Sequence, residues 1–270
     1  MPEQRDVFDY YAAHYREFAD DIQAAVRREA FGEDIGQNSW LTANELERFA
    51  ASLELRPATR LLDVACGSGG PALQLAELTG CDIVGVELDA ATVDAGIRRA
   101  REHGLAGRAR FVQADATGRL PFDDDSFEAL LCIDAVNHLR DRAAVLQEWA
   151  RLLRPGGRLV FTDPIVITGM LDSEELATRT SIGYFLFVPA GDNERLLRSA
   201  GLTVVAVEDT TFSMAAVARR RHEARAAHAA DLRGVEGDST FDGLQRFFDM
   251  VATLASEGRL SRFVYVAQRE

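Results

Sequence analysis

The sequence predicts an α/β protein built on a mostly parallel sheet, and three observations carry that prediction. An apolar run, Leu61-Leu62-Asp63-Val64, passes through the turn Ala65-Cys66-Gly67-Ser68-Gly69-Gly70-Pro71 into a helical stretch from Ala72 to Ala76. Short apolar strands then alternate with helical segments as far as residue 165, the pattern of parallel strands joined by crossover helices. Two late apolar runs, at 202–207 and 262–267, enclose a long helical stretch near 210–260.

The elements follow in order. Residues 7 to 28 carry Val7, Phe8, Tyr11, His14, Tyr15, Phe18 and Ile22 at helical spacing, which predicts an amphipathic helix serving as a packed cap, a lid, or both. Thr42 is placed to cap a helix from Ala43 to Leu53, with Glu45 as the capping-box acid. Trp40, just before it, reads as either a pocket wall or core packing. Strands are expected near 60–64, 82–86, 109–113, 128–133 and 157–162, and helices near 70–79, 90–103, 141–153 and 193–200. Beyond Asp163, the stretch 164–190 has apolar pieces without a clear period. In 210–260, Phe241, Leu244, Phe248 and Val251 line one helical face. Arg219-Arg220-Arg221 with Arg225 reads as a solvated helix face, or else as a site for an anionic substrate group.

The glycine turn is the first piece with chemistry. Glycine lets the backbone approach a ligand closely, and the helix N-terminus behind it offers unpaired N–H groups and the positive end of a dipole. Gly67, Gly69 and Ala72 satisfy a dinucleotide-binding fingerprint. Glu87 ends the second strand where a ribose-binding acid belongs, about 20 residues beyond the turn. A third piece, Ala109-Arg110-Phe111-Val112-Gln113-Ala114-Asp115-Ala116, is a short strand ending in an acid. The fourth, Leu153-Arg154-Pro155-Gly156-Gly157-Arg158-Leu159, is a helix end and turn before another strand.

Taken together, these four pieces resemble the class I S-adenosylmethionine-dependent methyltransferases over roughly residues 55 to 165. The resemblance implies a Rossmann-like α/β fold. Its sheet is mostly parallel and seven-stranded with an antiparallel last strand, and it carries a helical N-terminal cap and a helical insertion before that strand. The implied division is a cap over 1–56 and a cofactor-binding domain over 57–270, with inserts near 164–190 and 210–260. The implied cofactor is S-adenosylmethionine. Gly67 and Gly69 then approach its methionine part, Asp63 holds its amino group, Glu87 with Leu88 takes the ribose side, and Asp115 with Ala116 meets the adenine. The implied activity is methyl transfer to a small molecule, at an N, O or C atom.

Methyl transfer from a sulfonium is an in-line displacement, so positioning carries much of the catalysis, and a general base is needed only for a proton-bearing acceptor. His138, after the fourth strand, is a candidate base. Asp163, ending the fifth, is a candidate to bind or deprotonate the acceptor. The Thr162-Asp163-Pro164 ending is similar to that of enzymes methylating small amines. Two rivals share the pattern: a nicotinamide-dependent oxidoreductase, and a protein that keeps the cofactor fold without methylating.

Composition bounds the rest. A formal net charge of −13 argues against a general nucleic-acid or anionic-membrane binder. Cys66, Cys81 and Cys132 lack paired or metal-type spacing, so no metal site is expected, and a reducing cytoplasm fits. Neither a secretory leader nor a membrane-length apolar run is read in the chain. Oligomeric state is left open by these features.

Overall fold

The structure is a computed structural model and describes residues 20–270. Residues 7–19 of the expected N-terminal helix therefore lie outside the described residues. From Asp21 to Phe31 the chain is helical (α1), and α2 follows over Ala43–Ser52. Thr42 caps α2 by accepting from the Glu45 amide at 3.3 Å. The expected capping box is only half made, because the Glu45 side chain turns instead toward Arg262.

The core strands and helices then alternate: β1 (Arg60–Val64), α3 (Gly70–Thr79), β2 (Asp82–Glu87), α4 (Ala90–Glu102), β3 (Ala109–Gln113), β4 (Phe127–Cys132), α5 (Arg142–Leu152) and β5 (Leu153–Ile167). After β5 come α6 (Ser173–Arg179), β6 (Val188–Pro189), α7 (Asp192–Ser199) and β7 (Leu202–Asp209). The late insertion forms α8 (Thr211–Ala227), α9 (Ala229–Glu236) and α10 (Asp238–Ser256), and β8 (Leu260–Arg269) closes the fold. The sheet runs β3-β2-β1-β4-β5-β8-β7, with β6 paired off this path to β5. β1 to β5 pair in parallel, and β8 is antiparallel to both β5 and β7. Seven strands thus form the expected mostly parallel sheet with an antiparallel last strand, and the eighth is a two-residue addition from the 164–190 stretch.

The Pro155-Gly156-Gly157 turn is absorbed into β5 as a wide irregularity: Phe127 pairs with Leu153 and Ala129 with Arg158. Strand order reverses between β1 and β4, and in open α/β sheets a ligand crevice forms at the carboxyl ends of such strands.

Alternation along the strands feeds two cores. On one face, Phe161 and Tyr265 pack with Trp149 and Leu146 of α5. On the other, Val160 and Val264 pack with Leu46 and Phe49 of α2 and Leu73 of α3. The insertion has a core of its own. Phe241, Leu244, Phe248 and Val251 of α10 are all buried, as their spacing predicts. Val26 of α1 joins Ala224, Leu232 and Phe241, so the first described helix rests on the insertion. Among the described residues, no helix is long and apolar enough to cross a membrane.

Candidate active site

The turn after β1 is built by backbone conformation. Ala65, Gly67 and Gly69 all have positive φ, at 55°, 55° and 77°. A Cβ on Gly69 would fall 2.4 Å from the Phe111 ring, so that position admits only glycine. A Cβ on Gly70 would meet the carbonyls of Ile35 and Gly36 at 2.4 Å, which places the segment before α2 across the start of α3. Asp34 stabilises that segment by accepting from the Gly36 amide at 2.9 Å and from Arg27. Arg99 of α4 reaches the Ser68 hydroxyl at 3.1 Å.

Glu87 ends β2 beside this turn. Its Oε2 accepts from the Gly67 amide at 3.1 Å, while Oε1 accepts from the amides of Leu88 at 2.7 Å and Asp89 at 3.2 Å. Burial pushes its carboxyl above the usual range, and those three amides oppose the shift. Asp63, only 3% exposed, is pushed up to about 8, first by burial and then by the charge of Glu87. Asp115 is exposed, and its Oδ1 accepts from the Thr117 amide and hydroxyl at 2.8 and 2.7 Å, with Ala116 buried beside it. The structure therefore gathers Asp63, Gly67, Gly69, Glu87 and Leu88 around one turn, and sets Asp115 and Ala116 just beyond the β3 end.

These residues fit the cofactor that the sequence implies. A buried carboxyl, Asp63, and a half-buried one, Glu87, stand at adjacent strand ends, and no described cation lowers the pKa of Asp63. Such a donor set calls for a ligand carrying positive charge and hydroxyl groups, and the glycine turn leaves the backbone bare for it.

The expected acceptor residues are treated differently. His138 lies in a short 3₁₀ turn, Val136–His138, after β4. Its Nδ1 donates to the Tyr184 carbonyl at 2.7 Å, which leaves Nε2 as an acceptor, 3.2 Å from the Asn137 amide nitrogen. Burial lowers its pKa to about 4, so the ring is neutral near pH 7. Asp163 is not brought to it. Thr162 and Asp163 point to opposite faces of β5, and Asp163 is fully buried on the α5 side. Its Oδ2 takes a short hydrogen bond from Arg142 and another from Asn193 at 2.9 Å, and its Oδ1 accepts from the Ile165 amide at 3.2 Å. Asp163, expected to meet the acceptor, is thus enclosed on the α5 side of the sheet in this structure.

Asp134 was not singled out from the sequence, yet it is the hub of this side. Held at φ 51°, it accepts from the Trp40 amide at 2.8 Å, the Thr162 hydroxyl at 2.6 Å and Arg262 Nε at 2.8 Å. Arg262 also donates to Glu45 at 2.6 Å and to Thr210 at 2.9 Å. The available signal was a lone arginine inside the apolar run of the last strand, which needs buried acids to accompany it.

Trp40 is packed, not left as an open wall. Its ring lies 6.4 Å from Phe247 and 6.1 Å from Phe248, under the Arg221 guanidinium. From there a column continues through Arg179, over both Phe247 and Phe185, to the His138 ring, 4.8 Å from Phe185. The basic cluster is likewise engaged: Arg225 pairs with Glu236, Arg220 donates to the Ala30 carbonyl, and Arg219 reaches Ser256.

A mostly parallel sheet with its crevice at a glycine turn and two acids, Asp63 and Glu87, at adjacent strand ends has the form of a nucleotide-cofactor protein. Residues 62–161 match the family model described as a methyltransferase domain. Methyltransferase GfsG of Streptomyces halstedii is 31% identical over 224 residues, covering 77% of this chain and 76% of the relative. The 27-O-demethylrifamycin SV methyltransferase of Amycolatopsis mediterranei is 30% identical, covering 71% and 74%. Among solved structures, the [4+2]-cyclase SpnF superposes with a TM-score of 0.77 over 99% of this chain and 96% of that one, at 23% identity, a likeness of fold. The chain belongs to the class I S-adenosylmethionine-dependent methyltransferases.

Proposed function

We propose that this enzyme transfers the methyl group of S-adenosylmethionine to a compact organic acceptor, and that the β1–β2 end is where the cofactor is held. One observation carries the reading: Glu87 grips the Gly67 amide, so the ribose-type acid and the glycine turn form one unit. On that reading Gly67 and Gly69 approach the methionine part, Asp63 takes the ammonium, and Glu87 and Leu88 flank the ribose. Asp115 and Ala116 receive the adenine. Bound there, the cofactor supplies an electrophilic methyl group on a sulfonium.

The protein's part is then to orient the acceptor and exclude water. Asp134 fixes the end of β4 against Trp40 and α2, and the column from His138 to Trp40 stiffens the wall formed by both inserts. His138 offers its neutral Nε2 to a proton-bearing acceptor once the Asn137 contact is released. Asp163 supports the wall from behind by holding Arg142 and Asn193. Residues 1–56 act as the cap over the domain formed by 57–270. The name of the rifamycin relative supports a small-molecule acceptor, as does the chain's net charge of −13, which disfavours nucleic acid. Three free thiols support a cytoplasmic setting.

Thermal unfolding with added ligands tests the reading. S-adenosylhomocysteine is expected to raise the melting temperature saturably, and NAD to leave it unchanged. Stabilisation by NAD alone would overturn it.

A further inference from the structure

Asp63 and Glu87 stand at the carboxyl ends of neighbouring strands, β1 and β2, paired in parallel through Asp63–Gly85 and Val64–Val86. Asp63 is buried and Glu87 half-buried, and their surroundings differ. Glu87 is satisfied by three backbone amides, which favour its ionised form. The Asp63 carboxyl, 3% exposed, makes no hydrogen bond or ion pair among the described residues, and burial and the Glu87 charge both favour its protonated form. The titratable groups facing it are Glu87 from β2, the Cys66 thiol from the turn and the Cys132 thiol from β4. Asp89 acts on Glu87 and Asp134 on Cys132 from further out. The described cation at the turn, Arg99, is bound to Ser68. Of the two carboxyls, Asp63 is therefore the one whose surroundings favour a retained proton.

S-adenosylmethionine carries an ammonium, a sulfonium and a carboxylate, a net charge of +1. Its product has lost the sulfonium charge and is net neutral. We propose that Asp63 discriminates donor from product by exchanging its proton: the net positive charge of S-adenosylmethionine displaces that proton to the buffer, whereas S-adenosylhomocysteine leaves it largely in place. The O–H bond of the Asp63 carboxyl breaks, its electron pair stays on the carboxylate, and no other bond changes. Near pH 7 the acid pair thus becomes doubly ionised when the ligand supplies compensating charge. Donor binding is then favoured as pH rises toward 8, while product binding gains less. This rests on the cofactor-site reading above.

Calorimetric titration of the full chain at pH 7, in phosphate and in Tris, tests it, because the buffers' different ionisation enthalpies reveal the protons exchanged. With Asp63 titrating near 8, S-adenosylmethionine is expected to release about 0.9 proton, and S-adenosylhomocysteine less than about half of that. Between pH 6.5 and 7.5 the donor's affinity rises about eightfold, and the donor-to-product affinity ratio rises with it. The sulfonium lowers the donor's own ammonium pKa relative to the product's, so each free ligand's titration is measured separately and subtracted before the two are compared. In Asp63→Asn, which keeps the shape but cannot ionise, the difference in proton release disappears. Equal release by the two ligands in the unaltered protein overturns the proposal. Failure of either ligand to bind would instead overturn the cofactor-site reading.

Discussion

Arg262 on the last strand donates to Asp134 at the end of β4 across 128 residues of sequence, at 2.8 Å, with the arginine fully buried. The same guanidinium holds Glu45 of α2, and Asp134 also holds the Trp40 amide. One buried cation therefore joins the helix over the sheet to the crevice end of the strand beside it. Removing the cation leaves two buried carboxylates facing each other. Arg262→Met is expected to lower stability by about 3–5 kcal/mol. Urea unfolding is the check, and a loss under about 1 kcal/mol contradicts the role of the network.

Asp163 yields a second prediction from its enclosure. Asp163→Asn keeps its shape but leaves Arg142 without its carboxylate, so stability is expected to fall by about 3 kcal/mol. In the folded variant both S-adenosylhomocysteine affinity and methyl-transfer turnover are expected to change little. A folded Asp163→Asn protein that keeps S-adenosylhomocysteine affinity but has lost turnover would return Asp163 to the acceptor side.

Ala65 sits in the glycine turn at φ 55°, a conformation that costs an L-residue about 1–2 kcal/mol. Ala65→Gly removes that strain but adds flexibility to the unfolded chain, worth about 0.5–1 kcal/mol in the opposite direction. A net gain of up to about 1.5 kcal/mol is expected, read as a higher urea midpoint at unchanged slope.

His138 gives a pH dependence. Its folded pKa of about 4 lies below the ordinary 6.5, so the native state favours the neutral ring. The unfolded chain takes up the proton first as pH falls. The stability contributed is complete above about 6.5 and is lost progressively down to about 4. Unfolding measured at pH 7 and pH 5 is expected to show this loss, and His138→Gln to reduce it. An identical pH profile in the variant contradicts a neutral, buried ring.

What the sequence made legible follows from the range of the interactions. The turn at 65–70, Glu87 and the β3 end are each local patterns of strand, turn and helix, and adjacent parallel strands bring them together almost automatically. Phe241, Leu244, Phe248 and Val251 were legible because a helix face needs only its own period. The enclosure of Asp163 was not legible, because its place at a strand end says nothing about which face its side chain takes. Alternation turns it toward α5, while Thr162 takes the Asp134 side. The Arg262–Glu45 contact spans 217 residues, and no local spacing announces it. Trp40 was ambiguous for the same reason, since the rings that cover it come from α10.

The central claim is that the β1–β2 end, with Glu87 fixed on the glycine turn, holds S-adenosylmethionine. Calorimetric titration of the cofactor into the unaltered chain and into Glu87→Ala tests it most directly. The unaltered chain is expected to bind one equivalent. Glu87→Ala, folded as judged by its circular dichroism, is expected to bind more weakly by about 1–3 kcal/mol, the range for charge-assisted hydrogen bonds. Unchanged affinity in the folded variant would contradict the account and move the cofactor away from Glu87.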